Sequence, residues 1–335
     1  MRVLILGGTV FLGRHVVETL LARGHDVTLF HRGQRGGELF PGVERVLGDR
    51  ATDLEQLPAG ATWDAVVDTC GFVPGVVATS AQALRERAGR YVFISSISVY
   101  DVSQPRIDES SPTPDLPEGA SRDVMTPETY GALKYLCERE AIAAFGLERT
   151  LIVRPGLIVG PYDPSDRFTY WPLRFARGGD VLVPDALDTP VQYIDVRDLA
   201  EFVVDALERE HTGAVNTVGP AEPTTLGALL AACAAASDAN ANVVPVDRAF
   251  LRRWDTSPWS DLPVWSEDGF DYDGITRTDP SRAIALGLRY RPLEKTIADT
   301  LRWAQHERGD APLKAGLTPA REAALFALAA HERSR

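Results

Sequence analysis

Residues 2–13 of the chain read RVLILGGTVFLG and decide its fold. Residues 2–6 form a short, mostly apolar run, which is expected of a strand buried on both faces of a parallel sheet. Glycines follow, and apolar residues then recur at helical spacing from Val16 to Leu21 until Gly24 ends the helix. A second strand is predicted at 26–30. Strand, glycine-rich turn, helix and strand in this order predict the first unit of a dinucleotide-binding fold.

The glycine-rich turn indicates what such a unit binds. Glycines let the backbone approach a pyrophosphate, and the helix N-terminus supplies amide donors and a positive dipole end. The acidic residue that would hold a ribose 2′-hydroxyl is missing, because the second strand ends in His31-Arg32-Gly33-Gln34-Arg35. Arg32 or Arg35 can pair with a 2′-phosphate, which a carboxylate would repel. This favours NADP over NAD; the alternative is that both arginines are solvated on a surface loop.

Strands and helices continue to alternate through the first half of the chain. Further strands are predicted at 43–47, 63–68, 91–94 and 150–153, and helices at 76–87 and 129–145. The pattern predicts an α/β fold, with a Rossmann-type doubly wound parallel sheet in residues 1–160. Residues 161–335 are expected to form a smaller, discontinuous and mainly substrate-binding part that returns to the main sheet near 188–218.

Composition narrows the class of protein. A formal net charge of −12 disfavours nucleic acid as a partner, and no apolar run approaches the length of about 20 residues that a membrane-spanning helix needs. Three widely separated cysteines predict reduced thiols and a cytoplasmic protein. The six histidines show no metal-ligand spacing. A small-molecule substrate is therefore the expected partner.

A second informative stretch is Tyr130-Gly-Ala-Leu-Lys134, on the helix predicted at 129–145. Tyrosine and lysine four residues apart lie on one helix face. A free tyrosine has a pKa of about 10, and an adjacent ammonium group favours the phenolate and lowers that pKa. Residues 95–100, SSISVY, follow the strand at 91–94, where open α/β sheets place their chemistry. Together these residues indicate proton transfer at an alcohol or carbonyl oxygen.

These segments resemble the extended short-chain dehydrogenase/reductase family, the NAD(P)-dependent epimerase/dehydratase group. Residues 7–13 resemble its glycine turn, residues 95–100 its serine segment, and Tyr130 to Lys134 its YxxxK motif. The resemblance implies that Ser96, Tyr130 and Lys134 are catalytic, transferring a proton at a secondary alcohol or ketone while a hydride passes to or from nicotinamide. Residues expected to bind the cofactor are Gly7, Gly8, Thr9, Phe11, Leu12, Gly13, His31, Arg32, Asp49, Arg50, Asp68, Thr69, Cys70, Tyr130, Lys134 and Pro155.

Departures from the family pattern leave several functions open. Leu6 and Val10 replace a threonine and a glycine, and the resulting turn resembles that of an atypical subgroup that includes chloroplast stem-loop RNA-binding proteins. Ile97 and Ser98 stand where the family's dehydratases carry Asp and Glu, which disfavours dehydration. An NADP-linked reductase acting on a secondary alcohol or ketone is favoured, with a sugar or sugar nucleotide among its candidate substrates. The alternatives are a redox epimerase with tightly bound NAD and a non-catalytic RNA-binding or regulatory protein.

The sequence does not identify the substrate. The residues expected to line its pocket are Phe72, Arg167, Tyr170, Trp171, Gln192 and Trp259. The aromatic stretch 250–272, which includes Trp254, Trp265 and Phe270, either lines this pocket or forms a small core of its own. The alanine-rich helix from Thr318 onward is also open to two interpretations, contact in a homodimer or docking onto its own domain.

Overall fold

The computed structural model of the protein describes residues 1–267 and 276–333. Its strands are β1 (Arg2–Leu6), β2 (Asp26–His31), β3 (Glu44–Leu47), β4 (Trp63–Asp68), β5 (Ala88–Ile94), β6 (Thr150–Pro155), β7 (Ile158–Val159), β8 (Gly179–Pro184), β9 (Pro190–Val191), β10 (Ile194–Asp195), β11 (Gly213–Thr217), β12 (Thr224–Thr225) and β13 (Ala241–Val246). Its helices are α1 (Phe11–Ala22), α2 (Pro74–Leu84), α3 (Tyr130–Phe145), α4 (Tyr170–Ala176), α5 (Val196–Glu208), α6 (Leu226–Ala235), α7 (Arg248–Arg253), α8 (Ser281–Ala285), α9 (Leu293–His306) and α10 (Pro319–Arg333).

The main sheet confirms the predicted α/β fold. It has seven strands in the order β11-β6-β5-β4-β1-β2-β3, and every neighbouring pair is parallel. The four apolar residues of β1 have no exposed surface, as expected of a central strand covered on both faces. Because successive side chains point to opposite faces, Val3 and Ile5 pack with α1 and α5, whereas Leu4 and Leu6 pack with α2 and α3.

The C-terminal half of the chain returns to the main sheet and supplies the last strand of that sheet, β11. Helix α5 packs against α1, and β11 then adds to the sheet beside β6. Aligned carboxyl ends of β1, β4, β5 and β6 place the turns at 7–10, 69–73, 95–99 and 156–157 along one edge of the sheet. This edge carries most of the predicted site residues.

A second hydrophobic core lies in the C-terminal half. It is built by α4, α6, α7, α9 and α10 around the parallel pair β8 and β13. Trp265 belongs to this core, and Trp254 and Trp259 pack against it, whereas Phe270 lies outside the described residues. Helix α10 docks onto its own chain, with Leu325 fully buried. The predicted domain boundary at residue 160 stays a prediction.

No helix within residues 1–267 and 276–333 has both the length and the apolar character needed to cross a bilayer.

Candidate active site

The glycine turn brings three backbone segments into direct contact. Gly7 and Gly8 have φ values of 103° and 92°, which side chains other than glycine rarely adopt. A Cβ on Gly7 would lie 2.5 Å from Thr69 Oγ1, and a Cβ on Gly13 would lie 2.9 Å from the amide nitrogen of Gly8. The end of β1, the end of β4 and the start of α1 can therefore approach only because these positions lack side chains.

The N-terminus of α1 opens directly from this turn. Its N-cap residue, Val10, offers no side-chain hydrogen bond, and the first turn contains no acidic residue. The amide donors there are thus left for another acceptor, and the helix dipole makes an anion the favoured one. The glycine turn at residues 7–13, here called the glycine cradle, lies beside an uncapped helix N-terminus. This combination fits the pyrophosphate of a dinucleotide.

His31 ends β2 beside this cradle and is 9% exposed. Its Nδ1 accepts a hydrogen bond from the Gly33 amide at 3.0 Å. Burial, together with the nearby charge of Arg45, lowers the pKa of the imidazole, so the ring is neutral at pH 7 and Nε2 carries the proton. That Nε2 is buried and has no hydrogen-bond partner among the described residues. Such an unsatisfied donor fits a ligand that supplies the acceptor.

The two predicted phosphate-binding arginines are exposed. Arg32 and Arg35 lie in the loop after β2, and neither forms a hydrogen bond or an ion pair with any part of the chain that the structure describes. Arg45 instead organises this loop, donating to the carbonyl oxygens of Gly37 at 2.9 Å and Phe40 at 3.2 Å. Both guanidinium groups are free to meet a phosphate.

Arg50 and Asp68, both predicted cofactor residues, form a buried ion pair. Arg50 donates to the Asp68 oxygens at 2.5 and 2.7 Å and to Ser80 Oγ at 2.5 Å, and the Tyr91 hydroxyl donates to Asp68 at 2.8 Å. Asp68 has no exposed surface. In this structure the pair joins β4, β5 and α2 beneath Cys70, and the Asp68 side chain offers no surface to a cofactor.

The other predicted cofactor residues lie near the same edge. Asp49 is partly exposed and caps its own turn, since its Oδ1 accepts from the Ala51 amide at 2.9 Å. Thr69 donates to the Leu6 carbonyl at 2.9 Å, and Cys70 is partly exposed beside it. Pro155 is buried at the end of β6. These cofactor contacts stay predictions.

Ser96 caps a short 3₁₀ turn, Ile97–Val99, that follows β5. Its Oγ accepts from the Ser98 amide at 3.1 Å and lies 3.0 Å from Ser98 Oγ. The Tyr130 phenol lies close enough for the Ser96 hydroxyl to lower the pKa of that phenol. The structure thus brings two of the three predicted catalytic side chains close together.

Tyr130 is the first residue of α3. Burial raises the pKa of its phenol, while the Ser96 hydrogen bond and the positive charge of Arg167 act in the opposite direction. We expected Lys134 to lower this pKa, but that expectation is not met here: the phenol stays protonated at neutral pH, and the cation acting on it is Arg167.

Lys134 is a residue of α3 and is 3% exposed. Its ammonium group lies at the carboxyl end of β5. Its Nζ donates to the carbonyl oxygens of Gly71 at 2.7 Å and Ile94 at 2.6 Å, and it stands 4.3 Å from the centroid of the Phe93 ring. Burial lowers the pKa of this ammonium group to about 8, so it is still mostly charged at pH 7. The charge is held between the end of the sheet and α3.

A buried ion pair behind the site links its parts, although sequence reasoning assigned it no role. Glu138 accepts from Arg154 at 2.9 and 2.6 Å and from Ser95 Oγ at 2.5 Å. Arg154 also donates to the Tyr100 hydroxyl at 2.6 Å. Ser95 and Tyr100 stand on either side of the Ser96 turn, so one ion pair ties that turn to α3. The spacing of Glu138, four residues after Lys134, was the available signal.

The six predicted substrate residues fall into three groups. Tyr170 and Trp171 are 1% and 0% exposed and pack in the second core, so their side chains present no surface to a substrate. Gln192 exchanges two hydrogen bonds with the Thr278 backbone. The other three, Phe72, Arg167 and Trp259, keep exposed or partly exposed side chains near Lys134, Tyr130 and the Ser96 turn.

A family model described as the NAD dependent epimerase/dehydratase family matches residues 3–219. The chain belongs to this family. The match confirms the resemblance drawn from the motifs and identifies an NAD(P)-dependent enzyme of the oxidoreductase or epimerase type.

Relatives within the family carry different activities. The chain is 28% identical over 250 residues to epimerase family protein SDR39U1 of Bos taurus, covering 67% of this chain and 76% of the relative. It is 30% identical over 225 residues to 2-alkyl-3-oxoalkanoate reductase of Stenotrophomonas maltophilia, covering 61% and 64%. It is 30% identical over 184 residues to sterol-4-alpha-carboxylate 3-dehydrogenase, decarboxylating, of Bos taurus, covering 49% and 48%.

Solved structures of the family share the fold. The Bordetella bronchiseptica enzyme WbmH in complex with NAD+ is 22% identical, with a TM-score of 0.70 over 91% of this chain and 99% of that one. Human SDR39U1 with NADPH is 21% identical, with a TM-score of 0.60 over 90% and 99%.

Proposed function

We propose that the protein is an NADP-dependent reductase that interconverts a ketone and a secondary alcohol. The observation that carries this proposal is the proximity of the Ser96 hydroxyl and the Tyr130 phenol at the carboxyl end of the sheet, where the ammonium group of Lys134 is buried. Two hydroxyl groups that converge at this edge can both reach one substrate oxygen.

The bound nicotinamide would supply or accept the hydride; the protein's own residues handle the oxygen and its proton. Because burial keeps the Tyr130 phenol protonated at neutral pH, it can donate a proton to the oxygen of a ketone as that oxygen gains negative charge. Ser96 donates a second hydrogen bond to the same oxygen and stabilises the developing charge. A protonated tyrosine therefore favours the direction of reduction.

Lys134 supplies positive charge between the cofactor site and Tyr130. Its present acceptors are the carbonyl oxygen of Ile94, at the end of β5, and that of Gly71, in the turn after β4. The family resemblance implies that this ammonium group holds the nicotinamide ribose. A positive charge there also favours binding of the negatively charged cofactor.

The loop after β2 supports NADP as the cofactor. Arg32 and Arg35 are exposed without partners in the described chain, and the Nε2–H of His31 is a buried donor without an acceptor. A 2′-phosphate would satisfy all three groups, whereas the hydroxyl of NAD offers no charge to the arginines. Human SDR39U1, which shares the fold, was solved with NADPH.

The names of two relatives, a reductase and a dehydrogenase, favour net oxidation or reduction over sugar epimerisation. In a 2-alkyl-3-oxoalkanoate one carbon separates the ketone carbon from the carboxylate carbon, and a sterol-4-alpha-carboxylate that is dehydrogenated at position 3 has the same relation between oxygen and carboxylate. These names belong to proteins that the chain matches over 64% and 48% of their lengths. They point to a ketone or alcohol next to a carboxylate-bearing carbon as the substrate to test first.

Native mass spectrometry of the purified protein tests the proposal. A reductase should bind NADPH that exchanges with added nucleotide, whereas tightly retained NAD would favour the epimerase. Replacing Arg32 and Arg35 together by Gln should raise the Kd of NADPH about 10- to 100-fold and leave that of NADH nearly unchanged. The double variant Arg139→Gln/Arg289→Gln, at two other exposed arginines without partners among the described residues, is the control for net charge. If the Arg32 and Arg35 double variant loses affinity for NADPH and NADH equally, the assignment of NADP as the cofactor is contradicted.

A further inference from the structure

Arg167 lies on a loop that the C-terminal half holds in place. The neighbouring carboxylate of Asp166 accepts two hydrogen bonds from Arg308, at 2.9 and 2.8 Å, and a third from the Lys314 amide at 3.0 Å. Asp166 is 3% exposed, so this anchor is buried. The backbone that carries Arg167 is therefore fixed.

The Arg167 side chain, in contrast, is exposed. No hydrogen-bond acceptor or carboxylate of the described residues engages its guanidinium group. The guanidinium carbon stands 5.9 Å from the centroid of the Trp259 ring, which itself packs against the cluster of Ile97 and Val99 beside Ser96. The indole thus holds the guanidinium group of Arg167 near the 3₁₀ turn that Ser96 caps.

The same guanidinium group is close enough to Tyr130 for its charge to act on the phenol. Lys134 already donates to two carbonyl oxygens, those of Gly71 and Ile94. An anionic group on a substrate whose reacting oxygen meets Tyr130 and Ser96 would therefore find its partner in Arg167. The planar guanidinium fork matches a carboxylate in two parallel hydrogen bonds.

We propose that Arg167 binds a carboxylate of the substrate; if the carboxylate stands where the names of the two relatives place it, the substrate is a 3-oxo acid and the product a 3-hydroxy acid. This rests on the proposed reductase function and adds a specificity-determining residue to it. A single guanidinium group suits the single charge of a carboxylate better than the double charge of a phosphate. A phosphate is better matched by the two exposed arginines after β2, Arg32 and Arg35.

The reaction balances without any further reactant. The carbonyl carbon gains a hydride with its two electrons from NADPH, which becomes NADP⁺, and the C=O double bond becomes a single bond. The carbonyl oxygen takes the proton of Tyr130, which is replaced from solvent. The carboxylate is unchanged, and its ion pair with Arg167 fixes which carbonyl group faces Tyr130 and Ser96.

A matched pair of probes tests the proposal: 3-oxooctanoate and its methyl ester, each with NADPH and each followed by loss of nicotinamide absorbance. The wild type should use the acid with the higher kcat/KM. Arg167→Gln should lower kcat/KM for the acid about 10- to 100-fold and change that for the ester little. Arg167→Lys should recover part of the loss, because it restores charge without the fork. Arg139→Gln should behave as the wild type.

Failure of this inference differs from failure of the proposed function. If Arg167→Gln lowers both probes equally, Arg167 acts on Tyr130 and not on a carboxylate, and the inference is overturned while the reductase stands. If the wild type prefers the ester, or reduces neither probe although it binds NADPH, the substrate class is overturned. If the acid is reduced equally well by the Tyr130→Phe variant, the proposed function itself fails.

Discussion

A single methyl group added at Gly131 should separate the two halves of the candidate catalytic site. Gly131 is the second residue of α3, directly after Tyr130, and a Cβ there would lie 1.9 Å from the carbonyl oxygen of Ser98. Both atoms belong to rigid elements, since one is on the helix and the other is in the 3₁₀ turn that Ser96 caps. No side-chain rotation can relieve this contact.

The geometry sets the size of the effect. Real Cβ atoms essentially never approach closer than 3.0 Å, so α3 and the turn must move apart by about 1 Å. That shift moves the Ser96 hydroxyl away from the Tyr130 phenol. Because a misplacement of about 1 Å costs about 100-fold in rate, Gly131→Ala should lower kcat by about that factor.

The assay compares Gly131→Ala with Gly75→Ala by measuring kcat for ketone reduction and Kd for NADPH. Gly75 is likewise the second residue of its helix, α2, but a Cβ there would meet no atom within 4 Å. The control should keep wild-type kcat and gain slight stability, since alanine is favoured over glycine in helices. Both variants should bind NADPH with similar Kd values, because the glycine cradle at residues 7–13 is untouched.

A kcat for Gly131→Ala within about threefold of the Gly75→Ala value would refute this reasoning. It would mean that Tyr130 and Ser96 need not be held against each other for the reaction.

Two further predictions concern buried charges. Glu138→Gln leaves the buried Arg154 without its counter-charge, and Glu322→Gln does the same to Arg174, so each should lower the free energy of unfolding by about 3–5 kcal/mol. Only Glu138→Gln should also lower kcat. Equal kcat values for the two variants at equal thermal midpoints would contradict a positioning role for Glu138. Lys134 has a folded-state pKa of about 8, against an ordinary value of 10.5, so the unfolded chain binds more protons between these two pH values and the stability contributed by this residue rises with pH there. The free energy of unfolding of the cofactor-free protein should therefore increase from pH 8 to 10 relative to that of Lys134→Met. Parallel pH profiles for the two proteins would contradict the lowered pKa of Lys134.

The sequence predicted the main sheet because its signals are local. The apolar run at 2–6, the glycines after it and the helical spacing up to Leu21 are sufficient to define β1 and α1. Strand boundaries agreed to within a few residues: the strand predicted at 91–94 begins at Ala88, and the helix predicted at 76–87 spans Pro74–Leu84. Such ends depend on capping and on neighbouring elements, which composition does not encode.

The electrostatics of the site could not be predicted because they depend on contacts between distant segments. Tyr130 and Lys134 share a helix face, but the ammonium group of Lys134 donates to the carbonyl oxygens of Gly71 and Ile94. Arg167, more than 30 residues later, supplies the charge that acts on Tyr130 instead. In the same way, Tyr170 and Trp171 resemble pocket residues in sequence, yet the fold uses them to fill the second core.

The most direct test of the account is a single-turnover measurement with enzyme-bound NADPH, comparing the wild type with Tyr130→Phe. After addition of 3-oxooctanoate, the wild type should lose its nicotinamide absorbance in one exponential phase. The Tyr130→Phe variant should bind NADPH with the same Kd and keep that absorbance, because the phenol that donates the proton is gone. Oxidation of NADPH by the variant at the wild-type rate would contradict the claim that Tyr130 is the proton donor.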